Sequence, residues 1–319
     1  MVMRPSRIFL VSSSLVYEMD EKILIVGLTC LDIVNYVESY PVEDGDSRVV
    51  KQVWTTGGNA TNNITVLNQL NSHSVLFSSI PAQCPVLESL LKGAGIKTNY
   101  CIRRSNSELP ISTIIVSEST GSRTILHYRG QLQEPNCREF QDAFPDISRF
   151  SWIHFEGRNF ENVISMIRHV RKMRQNNEKP TISLECEKVR NFPTLEDAIP
   201  LVDVLFISKD FARNKGFRSK EQGVSGIQEK YCASNVIVIC PWAEKGAAAR
   251  STSEDEMISV NSYHENKAAI DTVGAGDCFI ACCIHYLNEG CGLRETLRKS
   301  CRIAGKKVTQ RGLLDLDLS

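Results

Sequence analysis

No Cys-x-x-Cys pair occurs in this chain, although it carries 12 cysteines in 319 residues. That spacing fits neither a zinc site nor a thioredoxin-type redox motif, and the length is wrong for a small disulfide scaffold. No sign of charge dominates: 37 Lys and Arg face 37 Asp and Glu, and no Lys/Arg block stands out. Nucleic acid is therefore not expected as the main partner. No apolar run approaches the ~18 residues that would cross a membrane. Gly-x-x-x-x-Gly-Lys-[Ser/Thr] is absent, which excludes a P-loop, and Gly274-x-Gly276-x-x-Phe279 lacks the third glycine of a dinucleotide site. There is no internal repeat and no low-complexity linker. At 42% hydrophobic and 23% charged residues, the composition is that of a globular protein with one large domain or two modest ones.

Residues 1–20 only faintly imitate a secretory signal. Arg4 and Arg7 precede Ile8-Phe9-Leu10-Val11, but Ser12, Ser13 and Ser14 interrupt the apolar run and no Ala-x-Ala-like site follows. The segment reads as an extension ahead of the first strand. Cys278, Cys282 and Cys283 fall in an apolar run where cysteine acts as a small hydrophobe. The expectation is a cytoplasmic protein with reduced thiols.

What the chain does contain is concentrated in Ala-Ile-Asp-Thr-Val-Gly-Ala-Gly-Asp-Cys-Phe, residues 269–279. Asp271 precedes a turn of small residues, Gly274, Ala275 and Gly276. Asp277 then opens the run Cys278-Phe279-Ile280-Ala281-Cys282-Cys283-Ile284, which reads as a buried helix. A small-residue turn entering a helix exposes backbone N–H groups that, with the helix dipole, hold phosphate oxygens. An Asp at that spot can accept the proton of a substrate hydroxyl. Anion cradle and base within one turn point to phosphoryl transfer to an alcohol, with Asp277 as base and the amides around Ala275–Asp277 as the anion hole.

Lys22-Ile-Leu-Ile-Val-Gly27 is an unbroken apolar run of the kind a buried parallel strand needs. Similar runs occur at 152–156, 181–185, 202–207 and 235–240, separated by helical patterns such as Val163–Met173, apolar at 163, 164, 166, 167 and 170. Strand–helix alternation implies a three-layer α/β core. Ligands in such sheets bind beyond the strand C-termini, where Gly27, Glu156 and the 207–210 turn would lie. Two regions break the alternation. Residues 113–118 and 123–129 flank Ser119-Thr-Gly-Ser122 as a hairpin, and 31–56 read as extended. Together they would make a small β-lid over the ligand edge. The expected division is an α/β core from 21–30, 57–99 and 131–319, and a lid from 31–56 with 100–130. Asp32, after the first strand, fits either a substrate-hydroxyl contact or a helix N-cap; Arg123, beside the hairpin turn, either reaches substrate or is solvated.

Asp271-Thr-Val-Gly-Ala-Gly-Asp277 resembles the C-terminal signature of the ribokinase-like (PfkB) carbohydrate kinases, and Thr56-Gly-Gly-Asn-Ala-Thr-Asn62 resembles their N-terminal sugar-holding segment. The resemblance spans about Glu21 to Gly312, and within the family it is strongest to the ketohexokinase branch. It implies a ribokinase-like α/β/α core with a β-clasp lid, and ATP-dependent phosphorylation of D-fructose at its 1-hydroxyl. Another small alcohol, such as ribose, adenosine or a different sugar, is the near alternative, and a non-catalytic sugar-binding relative the more distant one. It carries over Asp32, Gly58, Asn59, Asn62, Arg123 and Asp277 as sugar contacts, with Asp44 reaching the active site of a partner subunit. Lys209, Glu244, Gly246, Ala247 and Cys301, together with Gly274 and Gly276, are implied on the ATP side. It also implies Mg²⁺ with ATP, stimulation by K⁺ near 271–273, and a homodimer joined through the lid. Glu185 and Glu187, in Leu-Glu-Cys-Glu, are candidates near the magnesium, though paired Glu at a strand end are commonly solvated. Tyr263-His-Glu-Asn-Lys267 stands where the branch has a Pro-rich stretch, so adenine packing is expected to differ.

Overall fold

The computed structural model describes residues 22–174, 179–187, 195–232, 235–251, 256–263 and 268–318. The N-terminal extension and most of the 263–267 departure lie outside them.

The first unit is a strand, β1 (Lys22–Val26), followed by β2 (Cys30–Val37), β3 (Lys51–Gly57) and helix α1 (Asn59–Gln69). Then come β4 (Ser74–Phe77), β5 (Ser79–Pro81), α2 (Pro85–Gly93), β6 (Ile102–Arg104), β7 (Ile111–Ser117) and β8 (Arg123–Tyr128). The α/β alternation continues with α3 (Cys137–Ala143), β9 (Phe150–Glu156), α4 (Phe160–Arg174), β10 (Thr181–Cys186) and α5 (Leu195–Ala198). It runs on through β11 (Val204–Ile207), α6 (Lys209–Asn214), α7 (Lys220–Tyr231) and β12 (Ile237–Pro241). The chain ends with β13 (Ala247–Ser251), β14 (Ile258–Val260), α8 (Ala275–Asn288) and α9 (Leu293–Lys307).

Eight strands form the main sheet in the order β14-β13-β12-β11-β10-β9-β1-β4. From β4 to β12 the pairing is parallel; β13 and β14 are antiparallel. The alternation of a strand splits the core in two. On β1, Leu24 and Val26 face a cluster with Phe155, Ile167 and Val224, on the side of α3, α4 and α7. Ile23 and Ile25 face the other cluster, with Ile64, Leu91, Phe279 and Leu297, on the side of α1, α2, α8 and α9. The sheet is thus buried on both faces, and its central strands read as continuous apolar runs for that reason. The three layers agree with the sequence expectation.

The lid is a separate four-stranded sheet, order β3-β2-β7-β8. The hairpin of β7 and β8 is antiparallel, as its turn chemistry demands, while β2 and β7 pair in parallel. Only the two ends of the 31–56 stretch are strands; 38–50 is an exposed irregular connection. Asp32 lies inside β2, so its reading as a helix N-cap falls away. All 12 cysteines are free thiols, and Cys278, Cys282 and Cys283 are buried. Among the described residues, no helix is long and apolar enough to cross a membrane.

Candidate active site

The C-terminal edge of the parallel strands, the N-termini of α1 and α8, and the inner face of the lid enclose one cavity of about 190 Å³. Asp32, Gly58, Asn59, Asn62, Arg123, Gly274, Gly276 and Asp277 all line it. Sequence segments more than 200 residues apart therefore meet. Gly58 is the N-cap of α1 at φ 93, where a side chain would also strike the carbonyl of Leu28. Only glycine lets the chain turn there without strain. Asn59, Asn62 and Asn63 then sit on one helical face, at i, i+3 and i+4. Asn62 Nδ2 donates to Asp277 Oδ2 at 2.6 Å, and Asn63 Nδ2 to the Asp277 carbonyl at 2.9 Å. Asn59 Nδ2 lies 3.1 Å from Glu185 Oε2 and 3.3 Å from Glu187 Oε2.

Gly274 is the N-cap of α8 in the left-handed region, φ 72, and a side chain there would collide with Leu313. The turn folds back so that the Ala275 N–H donates to the Thr272 carbonyl at 3.3 Å. The first-turn amides of a helix have no intrahelical acceptor, and here that turn, at Gly276 and Asp277, lines the cavity. Asp277 is buried, and burial pushes its carboxyl up to about 7. The Asn62 hydrogen bond opposes this, and the negative charges of Glu187, Glu156 and Asp32 add to it. A carboxyl near neutrality is poised to take a proton. Burial also pushes Asp32 up, partly offset by hydrogen bonds from Ser112 and Cys30. Glu185 is buried rather than solvated, and burial, with Glu187 and Asp277 beside it, pushes it well up, whereas Glu187 is only partly buried.

Sequence reasoning did not select Glu156 as a site residue. It lines the cavity at the end of β9 with both oxygens engaged. Oε2 accepts the Leu28 N–H at 2.7 Å and Oε1 accepts from Arg158 Nη1 at 3.2 Å. Arg158 is held in turn by Glu134 Oε1 at 2.9 Å. Ser112 and His127, paired at 3.2 Å on the lid, are also in the lining and were not anticipated. The usable signals were Glu156 at the C-terminal end of a buried strand, and the alternation on β8 that puts Arg123 and His127 on one face.

Of the other expected residues, Arg123 stands at the rim of the lining, and Ala275, Asp44, Lys209, Glu244, Gly246, Ala247 and Cys301 fall outside it. Ala275 is the first residue of α8. Arg123 is exposed at the lid edge and donates through Nη1 to Thr272 Oγ1 at 2.9 Å. Asp44 is exposed on the 38–50 connection, at φ 62, outside the cavity lining of this single chain. Lys209 and Glu244 pair at 3.5 Å, adjoining Ser208 and Pro241 of the lining. Gly246 immediately precedes β13, and Ala247 is its buried first residue. Cys301 is buried on α9, its thiol pushed up to about 12 by burial.

The family described as "pfkB family carbohydrate kinase" matches residues 20–317 of the chain. Mouse ketohexokinase is 34% identical over 301 residues, 92% of this chain and 98% of that protein. Among solved structures, ribokinase of Arabidopsis thaliana complexed with ribose and ATP superposes at a TM-score of 0.74, with 18% identity, covering 92% of this chain and 94% of that one. Ribokinase of Cryptococcus neoformans in complex with ADP has the same TM-score, 0.74, with 16% identity over 92% of this chain and 96% of that chain.

Proposed function

The chain belongs to the pfkB family of carbohydrate kinases, with a ribokinase-like fold and ATP-dependent sugar kinase activity, and from that premise we propose that it phosphorylates a ketose, D-fructose, at the 1-hydroxyl. The observation that carries the reading is the meeting of Asp277, with its carboxyl near neutrality, with Asp32, Asn59 and Asn62 around one cavity at the mouth of the α8 turn. In this reading Asp32, Asn59, Asn62 and Gly58 hold the sugar and set the attacking hydroxyl against Asp277. Glu156, clamped by Arg158, offers a further acceptor. Asp277 takes the hydroxyl proton as the bond to phosphorus forms; in a loose transition state its main contribution is position. The amides after Gly274 and the α8 dipole stabilise the charge on the transferring phosphoryl.

ATP would lie on the side of Lys209, Glu244, Gly246, Ala247 and Cys301, with its terminal phosphate at Gly274 and Gly276. Glu185 and Glu187 give hard oxygen donors suited to the Mg²⁺ that travels with ATP, held through water. That ion neutralises phosphate charge. Potassium is a different matter. Two oxygens of Asp271, in the segment where the family likeness puts that ion, already accept from buried Lys307: the carbonyl at 2.8 Å and Oδ2 at 3.3 Å. A homodimer through the lid, with Asp44 entering the partner's site, and a cytoplasmic location belong to the same proposal.

The test is ADP release across a panel of ketoses, aldoses and nucleosides, with the product's phosphate position read by ³¹P NMR. Fructose 1-phosphate as the preferred product supports the reading. Preference for ribose or adenosine moves it to another branch, and no turnover with any alcohol makes the chain a binding relative.

A further inference from the structure

Asp271 does not touch the cavity, yet it is nearly inaccessible, at 1% exposure, and every oxygen it has is used. Oδ1 accepts the Val273 N–H at 2.8 Å, and Oδ2 accepts the Gly312 N–H at 2.9 Å. The ammonium of Lys307 lies against both its carbonyl and Oδ2. The carboxylate thus shapes the residues that lead directly into Gly274. One further donor comes from outside the core: Tyr36 Oη, on lid strand β2, donates to Asp271 Oδ2 at 3.2 Å across 235 residues of sequence.

Tyr36 is itself buried, at 2% exposure, in the lid's small apolar cluster with Val34, Ile114 and Val116, and Val273 packs against that same cluster. The Arg311 guanidinium lies 4.8 Å over its ring and also pairs with Glu118 of the lid. A second lid side chain, Arg123, donates to Thr272 Oγ1. Three consecutive residues, 271, 272 and 273, are thereby each held by the lid. Strand alternation puts Asp32 and Tyr36 on one face of β2, Asp32 in the cavity lining and Tyr36 on the turn.

The geometry points to Tyr36 as a positioning residue: through Asp271 it ties the placement of the lid to the placement of the Gly274 turn. The inference rests on the kinase reading above. A sugar that seats Asp32 also seats β2, and β2 fixes the amides on which the phosphoryl charge develops. Misplacement of a catalytic group by even a fraction of an ångström is expressed in turnover rather than in binding. Tyr36→Phe keeps the ring, its packing and the Arg311 contact, and removes only the hydroxyl.

The experiment compares Tyr36→Phe with the unmodified enzyme on whichever sugar the latter phosphorylates, so a wrong sugar assignment sinks the function proposal and leaves this one standing. Rates are normalised to sites counted by calorimetric sugar binding. The expected result is about a tenfold fall in kcat, with KM for ATP and for the sugar changed less than twofold. Thr272→Val, which removes the Arg123 acceptor, lowers kcat in the same sense, and the double variant falls by less than the product of the two. A kcat for Tyr36→Phe within twofold of the unmodified enzyme overturns the inference. So does a loss confined to the number of folded sites or to KM, because a merely structural hydroxyl would act there.

Discussion

The two larger sheets of this protein solve the burial problem in opposite ways. The main sheet is covered by helices on both faces, and its strands close two large apolar clusters. The lid has one small cluster, Val34, Tyr36, Ile114 and Val116, on its inner face. Its outer face leaves Trp54 48%, Leu126 59% and Tyr128 56% exposed. Four buried side chains are a small apolar reserve for four strands. The core is held together by what it buries, and the lid by what it touches. The chemistry sits on the seam: acids and helix ends come from the rigid side, and Asp32, Arg123 and Tyr36 from the other.

The largest effect belongs deep in the core. Phe77 is fully buried against Phe140 and Phe144, with ring centroids at 5.6 and 5.2 Å. Phe77→Ala should cost about 3–5 kcal/mol of stability. By thermal or urea unfolding that is a gross loss, whereas an equivalent change on the lid's outer face should stay within about 0.5 kcal/mol. Similar losses at both places would erase the contrast between the sheets.

Next comes the acid on the rigid side. Asp277→Asn should lower kcat by about 10²-fold or more while the fold and ATP binding persist. The pH profile sharpens this. Asp277 acts as a base only when ionised, and its carboxyl is pushed up to about 7. Activity should therefore climb as pH rises through about 7 and level off above it, and the variant should lose that limb. Stability runs the other way. A folded carboxyl raised from the ordinary value of 3.8 destabilises the protein increasingly between that pH and about 7. The Asn variant should unfold no earlier than the unmodified protein at pH 8. Unchanged turnover in the variant would take Asp277 out of the mechanism.

On the lid side of the seam, Asp32→Ala should raise KM for the sugar by an amount worth about 1–3 kcal/mol, because it leaves a bound hydroxyl without its acceptor. KM for ATP should barely move. Steady-state kinetics in both substrates decides it; equal shifts would mean that Asp32 supports the whole site rather than the sugar.

These regions also differed in how far sequence alone could read them. The runs at 22–27, 152–156, 181–185, 202–207 and 235–240 were legible because strands buried on both faces are mostly apolar, with His154 and Ser183 among the few buried polar exceptions. β13 and β14, Ala247-Ala-Ala-Arg-Ser and Ile258-Ser-Val, are too short and mixed to announce themselves, and their antiparallel extension of the sheet was not foreseen. In the site, the glycines at 274 and 276 and the acid at 277 were legible because a helix-entry turn constrains residue type locally, whereas Gly58 came with the family resemblance. The Glu156 clamp was not, since Leu28 and Glu156 stand 128 residues apart and only the fold brings them together. Tyr36 on Asp271 is the same kind of contact over a longer span.

The smallest expected change in stability tests what covers the lid. Strand register lines Trp54, Ile33, Thr113 and Leu126 in one row across the outer face, from β3 to β8. A largely apolar row across a sheet face, with nothing among the described residues over it, is a contact surface for a second surface to take. A second copy of the same lid across a two-fold axis fits the row to itself, since such a contact is isologous. Asp44, exposed at the end of the same sheet, would then be carried toward the partner's cavity. Leu126→Lys puts a charge in the middle of the row. It should leave the monomer's unfolding free energy within about 0.5 kcal/mol, because the position is already in water in a single chain. Light scattering should show the unmodified protein at about twice the chain mass of 35.7 kDa, and the variant at the chain mass itself. If Asp44 completes the partner's site, the variant also loses activity, and Asp44→Ala lowers activity without separating the subunits. A fully active monomer of the unmodified protein would show instead that the lid works alone, and that its row of apolar side chains has another purpose.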